Sequence, residues 1–164
     1  MEIRIAQEED VPYLLDIYNY EVLHGGSDLR YQPQDAVGQL DWYYAHNISN
    51  HPCNRGGGGR PCGRLCLPVP LSCEGGLCGY RGTVCLRPQG LPEAQEIARK
   101  LTLHILNLAR EDERIHTVVS VSPAEIRPAS ICTEELGFLH CGTIKEVGVK
   151  FGRYLDIENY QMMV

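Results

Sequence analysis

The sequence predicts an α/β domain, and two observations lead to this prediction. Between residues 96 and 121, a helix with one apolar stripe is followed directly by a β-branched strand, and after residue 138 two strand patterns run to the end of the chain. A helix with one apolar stripe and a strongly apolar strand bury their surfaces against each other. At 164 residues the chain fits one domain with a sizeable core. We therefore expect a single domain over residues 1–164.

The helix after Glu96 is the best-defined element. Its apolar residues recur at i, i+4, i+8 and i+11, as Ile97, Leu101, Ile105 and Leu108, which is the spacing of one buried helical face. The run from 116 to 121 is rich in valine and reads as a buried strand. The first turn of the helix has free backbone N–H groups that suit a phosphate. We expect the chemistry of the protein at this end of the helix.

The remaining ordered elements follow from their apolar periodicity. Residues 3–6 alternate as a strand, a helix starts near Val11 and ends at Gly25, and a second helix follows Pro33. We expect the strands 140–149 and 155–164 to be antiparallel, because a short turn joins them. The predicted buried residues of the two helices are Val11, Leu14, Leu15, Tyr18 and Val22, then Val37, Leu40, Tyr43 and Tyr44.

Charge and hydropathy exclude several classes of partner. A net charge of −6 argues against nucleic acid as the ligand. No apolar run approaches the ~18 residues that a membrane span needs. The first residues lack the basic and then apolar pattern of a signal peptide. We expect a cytoplasmic protein.

Residues 53–96 break the pattern of the chain. This segment holds six of the eight cysteines, ten of the 17 glycines and five of the ten prolines. Glycine and proline both disfavour regular strands. The cysteine pairs Cys62/Cys66 and Cys73/Cys78 suggest a zinc-binding insertion as one explanation, but the first spacing is unusual for zinc and no histidine lies between Cys53 and Cys85. We expect no bound metal.

The ordered parts resemble the GCN5-related N-acetyltransferase (GNAT) superfamily, and within it the phosphinothricin N-acetyltransferase-like branch. The resemblance covers about two-thirds of the chain, roughly residues 1–52, 97–121 and 134–164. Its most specific part is the C-terminal run 148–156. The other motifs that carry it are Ile3-Arg4-Ala6, Asp16-Ile17-Tyr18-Asn19, Ile97-Ala98-Arg99-Lys100-Leu101 and Glu135-Leu136-Gly137-Phe138.

The resemblance implies a mixed, splayed sheet flanked by helices, with acetyl-CoA held between two parallel strands. In this family a loop of the pattern Arg/Gln-x-x-Gly-x-Gly/Ala cradles the pyrophosphate at the start of the central helix. Residues 93–98 stand there, and Ala98 fits the pattern, whereas Glu96 replaces a glycine and Glu93 replaces the basic or amide residue. Two carboxylates should repel a diphosphate, so we expect acetyl-CoA binding by the literal chain to be weak or absent.

The resemblance also assigns candidate site residues. Ile97, Ala98, Arg99 and Lys100 in the first turn, with Ser130, are the candidates for cofactor binding. For Arg99 and Lys100 the alternative is a solvated basic helix face, and for Ser130 a plain turn residue.

Lys150 and Tyr154 match positions near the substrate mouth or the dimer edge, so they are the substrate-binding candidates. Surface positions on a strand are the alternative. A homodimer is implied.

The general base of the family is a glutamate after a Thr-Val pair, which takes a proton from the amine so that the neutral amine attacks the thioester. Here Cys85 follows Thr83 and Val84. The catalytic residue is therefore unassigned. A cysteine nucleophile is an alternative, against a cysteine with no catalytic role.

The reading frame offers an explanation of the disturbed segments. Residues 54–61 are encoded largely as AAY-CGN-GGN-GGN-GGN-GGN-CGN-CCN, and one nucleotide later this permits Ile-Val-Ala-Glu-Glu-Asp-Gly-Arg. Such a strand and acidic turn resemble the family at this position. A shift in the opposite sense over about 122–133 permits the Asn-x-x-Ser start of a family helix. We therefore interpret 53–96 and about 122–133 as frame-shifted, through sequencing error or compensating indels.

The most consistent interpretation is an enzyme that transfers the acetyl group of acetyl-CoA to the amine of a phosphinothricin- or methionine-sulfone-like amino acid. A catalytically impaired protein of the same fold, retained for ligand binding or dimerisation, is the first alternative. A zinc-binding module is the second. An in-frame chain should have strands across roughly 53–60, 63–72 and 82–90, whereas the literal residues are expected to be irregular there.

We predict that resequencing the gene across codons 50–135 will reveal compensating shifts at the ends of the two disturbed segments. The expected corrected product carries an Arg-x-x-Gly sequence in front of Ile97. Peptide mass mapping of the protein from its natural source provides an independent check. A fragment whose mass matches the literal residues 56–60 would contradict the frame-shift interpretation.

Overall fold

The structure, a computed structural model, describes residues 3–25, 30–46, 53–56, 62–66, 80–86, 94–113, 115–125 and 133–164. These ranges contain three α-helices and seven strands. The helices are α1 (Val11–His24), α2 (Ala36–His46) and α3 (Ala94–Glu111). The strands are β1 (Ile3–Ile5), β2 (Cys53–Gly56), β3 (Cys62–Cys66), β4 (Tyr80–Leu86), β5 (Thr117–Pro123), β6 (Leu139–Lys150) and β7 (Arg153–Met163). Within the described ranges, no helix is both long and apolar enough to cross a membrane.

The strands form one mixed sheet in the order β1-β2-β3-β4-β5-β7-β6. The neighbours β4 and β5 are parallel, and the other neighbouring strands are antiparallel. The expected C-terminal hairpin is confirmed, and its turn places Phe151 and Gly152 at positive φ, as a tight hairpin turn requires. A mixed sheet with helices packed on it confirms the predicted fold class.

Helix α3 covers the main hydrophobic core. The predicted stripe is buried at Leu101 and Ile105, and Leu106 and Ala109 join it. On the sheet, Val118 of β5 packs into the same core. Phe138, Tyr160 and Met162 complete it from the C-terminal part of the chain. The helix and the sheet therefore share one apolar interface, as the periodicity of α3 predicts.

Leu14 of α1 packs with Trp42 and Tyr43 of α2 in one hydrophobic cluster, and a second cluster is formed by residues of α1. The predicted buried face of α1 is confirmed at Val11, Leu14, Tyr18 and Val22. The predicted face of α2 is wrong at two positions, because Val37 is 66% exposed and Tyr44 is 50% exposed. The buried residue of α2 is Gln39, whose side-chain amide has no hydrogen-bond partner within the described structure.

Three strands run through the segment of unusual composition. Strand β2 lies within the expected range 53–60, whereas β3 begins one residue before the range 63–72 and β4 begins two residues before the range 82–90. The strands expected of an in-frame chain are therefore present, in place of the irregular backbone expected of the literal residues. All prolines of the segment fall outside them, so no ladder donor is lost to proline. The register shifts between Arg55 and Gly56, where glycine tolerates the irregular backbone of a bulge.

A buried carboxylate fastens β1 to the start of α1. Asp10 ends a 3₁₀ turn (Glu8–Asp10) and is 3% exposed. Its Oδ2 lies 2.8 Å from Nη1 of Arg4, its Oδ1 accepts a hydrogen bond of 3.1 Å from Nη2 of Arg4, and its Oδ2 also accepts one of 3.0 Å from the backbone N–H of Gln7. This arrangement fixes the direction in which α1 leaves the sheet.

We predict that Asp10→Ala lowers the free energy of unfolding by about 2–4 kcal/mol, because it removes the buried carboxylate that accepts from the Gln7 N–H and pairs with the Arg4 guanidinium group. Urea unfolding followed by circular dichroism measures the change. Glu9→Ala, in the same 3₁₀ turn but exposed, is the matched control and should change stability by less than about 0.5 kcal/mol. Equal effects of the two substitutions on stability would contradict the role of Asp10 in fastening β1 to α1.

Candidate active site

The sheet opens between its two parallel strands. Strands β4 and β5 pair from Tyr80↔Thr117 to Thr83↔Ser120, and the pairing ends there. Beyond that point β4 continues to Leu86 beside β3, while β5 continues to Pro123 beside β7. The two strands therefore diverge and leave a cleft in the middle of the sheet.

The exposure of β5 agrees with this opening. Val121 lies on a central strand but is 48% exposed. A side chain in the middle of a sheet that is covered by helices is normally buried. Backbone groups of residues 84–86 and 121–123 border the cleft, where the described parts of β4 and β5 do not pair with each other, and Pro123 contributes only its carbonyl. Such groups can bind an extended ligand that carries amides, as a further strand would.

Helix α3 starts at the end of the sheet where the cleft opens, because it follows the carboxyl end of β4 in the chain. Its first turn includes Glu96, whose Oε1 lies 2.5 Å from Nζ of Lys100. The hydrogen bond from Lys100 and then the attraction of its charge hold the pKa of the Glu96 carboxyl below its usual value. Glu96 is therefore ionised at neutral pH and forms an ion pair with the ammonium group of Lys100.

The predicted cofactor-binding residues meet different surroundings. Arg99 and Lys100 are exposed on the first turns of α3, as phosphate ligands must be. Ala98 is half-buried, and its carbonyl accepts a hydrogen bond of 2.9 Å from Thr102 Oγ1. The side chain of Ile97, and the whole of Ser130, lie outside the described residues. Their roles in cofactor binding stay predictions.

The carboxyl end of β5 is held beside the start of β7. The backbone N–H of Ala124 donates to the carbonyl of Asp156 at 3.0 Å. Nη2 of Arg153 lies 2.7 Å from Oε2 of Glu125. These contacts place the β6–β7 turn at the open end of the cleft, because β6 and β7 turn where β5 ends.

The two predicted substrate-binding residues lie near this turn but differ in burial. Lys150 is 2% exposed, and its Nζ donates to the backbone carbonyl of Glu21 at 3.4 Å. Its Nζ also lies 5.2 Å from the ring centre of Phe151. Tyr154 is 65% exposed. Lys150 therefore joins α1 to β6, while Tyr154 is accessible to a ligand or a partner chain.

The sequence interpretation missed the segment between α1 and α2. Tyr31 donates a hydrogen bond from its hydroxyl to the carbonyl of Val149, near the β6–β7 turn. Asn19, in the interior of α1, bonds to the backbone of Gln34. An asparagine inside a helix was the available signal, because its helix propensity is poor and a tertiary role often explains it.

The chain is similar to N-acyltransferases that act on amino acids. It is 25% identical over 179 aligned positions to the L-amino acid N-acyltransferase MnaT of Escherichia coli, covering all of this chain and 94% of that protein. It is 26% identical to an L-methionine sulfoximine/L-methionine sulfone acetyltransferase of Salmonella typhimurium, covering all of this chain and 95% of that protein. No protein-family profile matches the chain.

Solved structures share the fold over nearly the whole chain. A ribosomal-protein-alanine N-acetyltransferase from Brucella melitensis superposes with a TM-score of 0.92 at 26% identity, and each chain is covered completely. A putative acetyltransferase from Salmonella typhimurium, solved with its cofactor acetyl-CoA, superposes with a TM-score of 0.87 at 25% identity. The superposition covers 99% of this chain and 92% of that one.

We predict that Glu96→Gln tightens the binding of acetyl-CoA about three- to tenfold, because it removes an anion from the helix N-terminus and releases Lys100 for phosphate. Isothermal titration calorimetry measures both affinities. Glu111→Gln, at the opposite end of α3, is the matched control and should leave the affinity unchanged. Micromolar binding by the unmodified chain, unaltered by Glu96→Gln, would contradict the expected repulsion.

Proposed function

We propose that this chain is an N-acetyltransferase of the GNAT family, as its relatives that act on amino acids suggest, and that it transfers the acetyl group of acetyl-CoA to the α-amine of a small amino acid. Methionine sulfone, methionine sulfoximine and phosphinothricin represent the proposed substrate class. The observation that carries the proposal is the cleft between β4 and β5, together with the relatives that acylate amino acids.

Acetyl-CoA suits the cleft in one part and meets an unfavourable charge in another. The unpaired edges of residues 84–86 and 121–123 suit the amide groups of the pantetheine arm. The N–H groups at the start of α3, with Arg99 and Lys100, suit the diphosphate. The ionised Glu96 opposes it. We infer that the chain binds acetyl-CoA in this orientation and with reduced affinity.

The reaction requires a base and an oxyanion donor. The base removes a proton from the ammonium group, the neutral amine forms a C–N bond with the thioester carbon, and the C–S bond breaks to release the thiolate of coenzyme A. A backbone N–H at the cleft edge is the proposed donor to the developing oxyanion. No side chain is assigned as the base, because Cys85 stands where the family has glutamate.

Lys150 and Tyr154 are proposed at the acceptor side of the site. Tyr154 is accessible to the amino acid at the β6–β7 turn. Lys150 contributes by holding α1 beside β6, because its ammonium group is buried against the carbonyl of Glu21. The two residues thus have different proposed roles within one end of the sheet.

We also propose a cytoplasmic homodimer of single-domain chains. Strand β6 lies at one end of the described sheet, where an unpaired edge invites a partner. The apolar side chains Ile144, Val147, Val149 and Phe151 are exposed on this strand and its turn. A second copy of the chain would bury them.

A catalytically impaired protein with the same fold is the second candidate. The observation that favours it is Glu96 at the expected phosphate site, paired with Lys100. Such a protein would still dimerise but would not turn over acetyl-CoA. The zinc-binding alternative concerns cysteines whose side chains lie outside the described residues.

We predict that the purified chain forms N-acetyl-methionine sulfone from acetyl-CoA and L-methionine sulfone, with release of one thiol per product. Mass spectrometry identifies the product, and a thiol reagent follows the rate. A substrate whose amine is already acetylated is the control and should release no thiol. Glu96→Gln is assayed beside the unmodified chain, since restored phosphate binding should raise the rate. Absence of product from both proteins, across the amino-acid panel, would favour the impaired protein.

A further inference from the structure

Asn19 binds both backbone groups of one residue in the segment before α2. Its Nδ2 donates to the carbonyl of Gln34 at 2.9 Å, and its Oδ1 accepts from the N–H of Gln34 at 2.8 Å. Among side chains of this length, an amide is suited to do both at once, because it carries a donor and an acceptor side by side. The pair of bonds is equivalent to one rung of an antiparallel ladder.

The backbone fixed by Asn19 sets the start of α2. Asp35, the next residue, accepts a hydrogen bond at its Oδ1 from the N–H of Gly38 at 2.8 Å, which is an N-cap. The same segment is held at its other end, where Tyr31 donates to the carbonyl of Val149 on β6. Residues 31–35 are thus fastened to α1 on one side and to β6 on the other.

This fastened segment lies at the open end of the cleft. Strand β6 reaches its carboxyl end at Lys150, where β7 begins, and β7 runs antiparallel to β5. Val149 is therefore at the end of the sheet where β5 terminates and β4 has diverged. Helix α3 packs into the main core, while α1 and α2 form other clusters. The segment thus lies beside α1 and β6, at the end of the sheet where the cleft opens, and its partner Val149 pairs with Tyr154 and precedes Lys150, the two proposed acceptor-side residues.

We propose that Asn19 is a positioning residue for the acceptor amino acid. By holding Gln34 it fixes residues 31–35 at the rim of the cleft and shapes the acceptor side of the site, without contacting acetyl-CoA. This inference rests on the proposed acetyltransferase function. According to this inference, the affinity for the acceptor amino acid depends on Asn19, which lies on a helix outside the cleft.

Steady-state kinetics of Asn19→Ala test the proposal. We expect the KM for methionine sulfone to rise about tenfold, as the loss of two hydrogen bonds implies, while the KM for acetyl-CoA stays within about twofold. Asn19→Asp keeps the acceptor for the Gln34 N–H but loses the donor to the Gln34 carbonyl. Its KM for methionine sulfone should therefore lie between that of the unmodified chain and that of Asn19→Ala. Asn107→Ala is the matched control, because it makes the same substitution on an exposed position inside α3 and should change neither KM.

The outcomes separate this proposal from the proposed function. If Asn19→Ala changes the KM for methionine sulfone and the KM for acetyl-CoA equally, or changes neither, the role of Asn19 is overturned even if the chain is an acetyltransferase. Absence of turnover in the unmodified chain would count against the proposed function. Amide hydrogen exchange then decides the inference on Asn19. Faster exchange at Gln34 in Asn19→Ala than in Asn107→Ala, with weaker calorimetric binding of methionine sulfone, would support it, and equal exchange or equal binding would overturn it.

Discussion

The site depends on the point at which the parallel pairing of β4 and β5 stops. Four ladder positions join the strands, which is enough to connect the two halves of the sheet through its centre. Beyond these positions each strand keeps its outer neighbour, so the sheet stays paired on both flanks while its middle opens. The cleft therefore lies between unpaired edges of otherwise supported strands, and a ligand there can use backbone groups that are already held in place.

The electrostatics beside the cleft combine two opposing features. The N-terminus of α3 favours an anion through its free N–H groups and its dipole, and exposed basic side chains follow in the first turns. Glu96 places a carboxylate in the same turn and pairs with Lys100. Because the pair is exposed, it stabilises the fold little. In the proposed phosphate site, the same carboxylate reduces the positive potential at the helix N-terminus.

The open end of the cleft is held by bonds between side chains and distant backbone groups. Asn19 holds Gln34, Tyr31 reaches Val149, and Lys150 reaches the carbonyl of Glu21. Each contact joins elements far apart in the sequence, and each accepts or donates at the main chain. This arrangement fixes the direction of segments that carry few buried apolar residues. It explains how α1, β6 and the segment before α2 form one rim.

The sequence by itself determined the elements with strong periodicity: the buried stripe of α3, the inward face of α1 and the C-terminal hairpin. It also indicated the mixed sheet and the donor substrate through short motifs, although several predicted site residues remain predictions. Tertiary structure decided the rest. Val37 and Tyr44 of α2 face outward while Gln39 is buried, because packing against α1 overrides a weak apolar pattern. The contacts of Asn19 and Lys150 depend on which backbone groups meet them after folding, and local sequence contains no record of those partners.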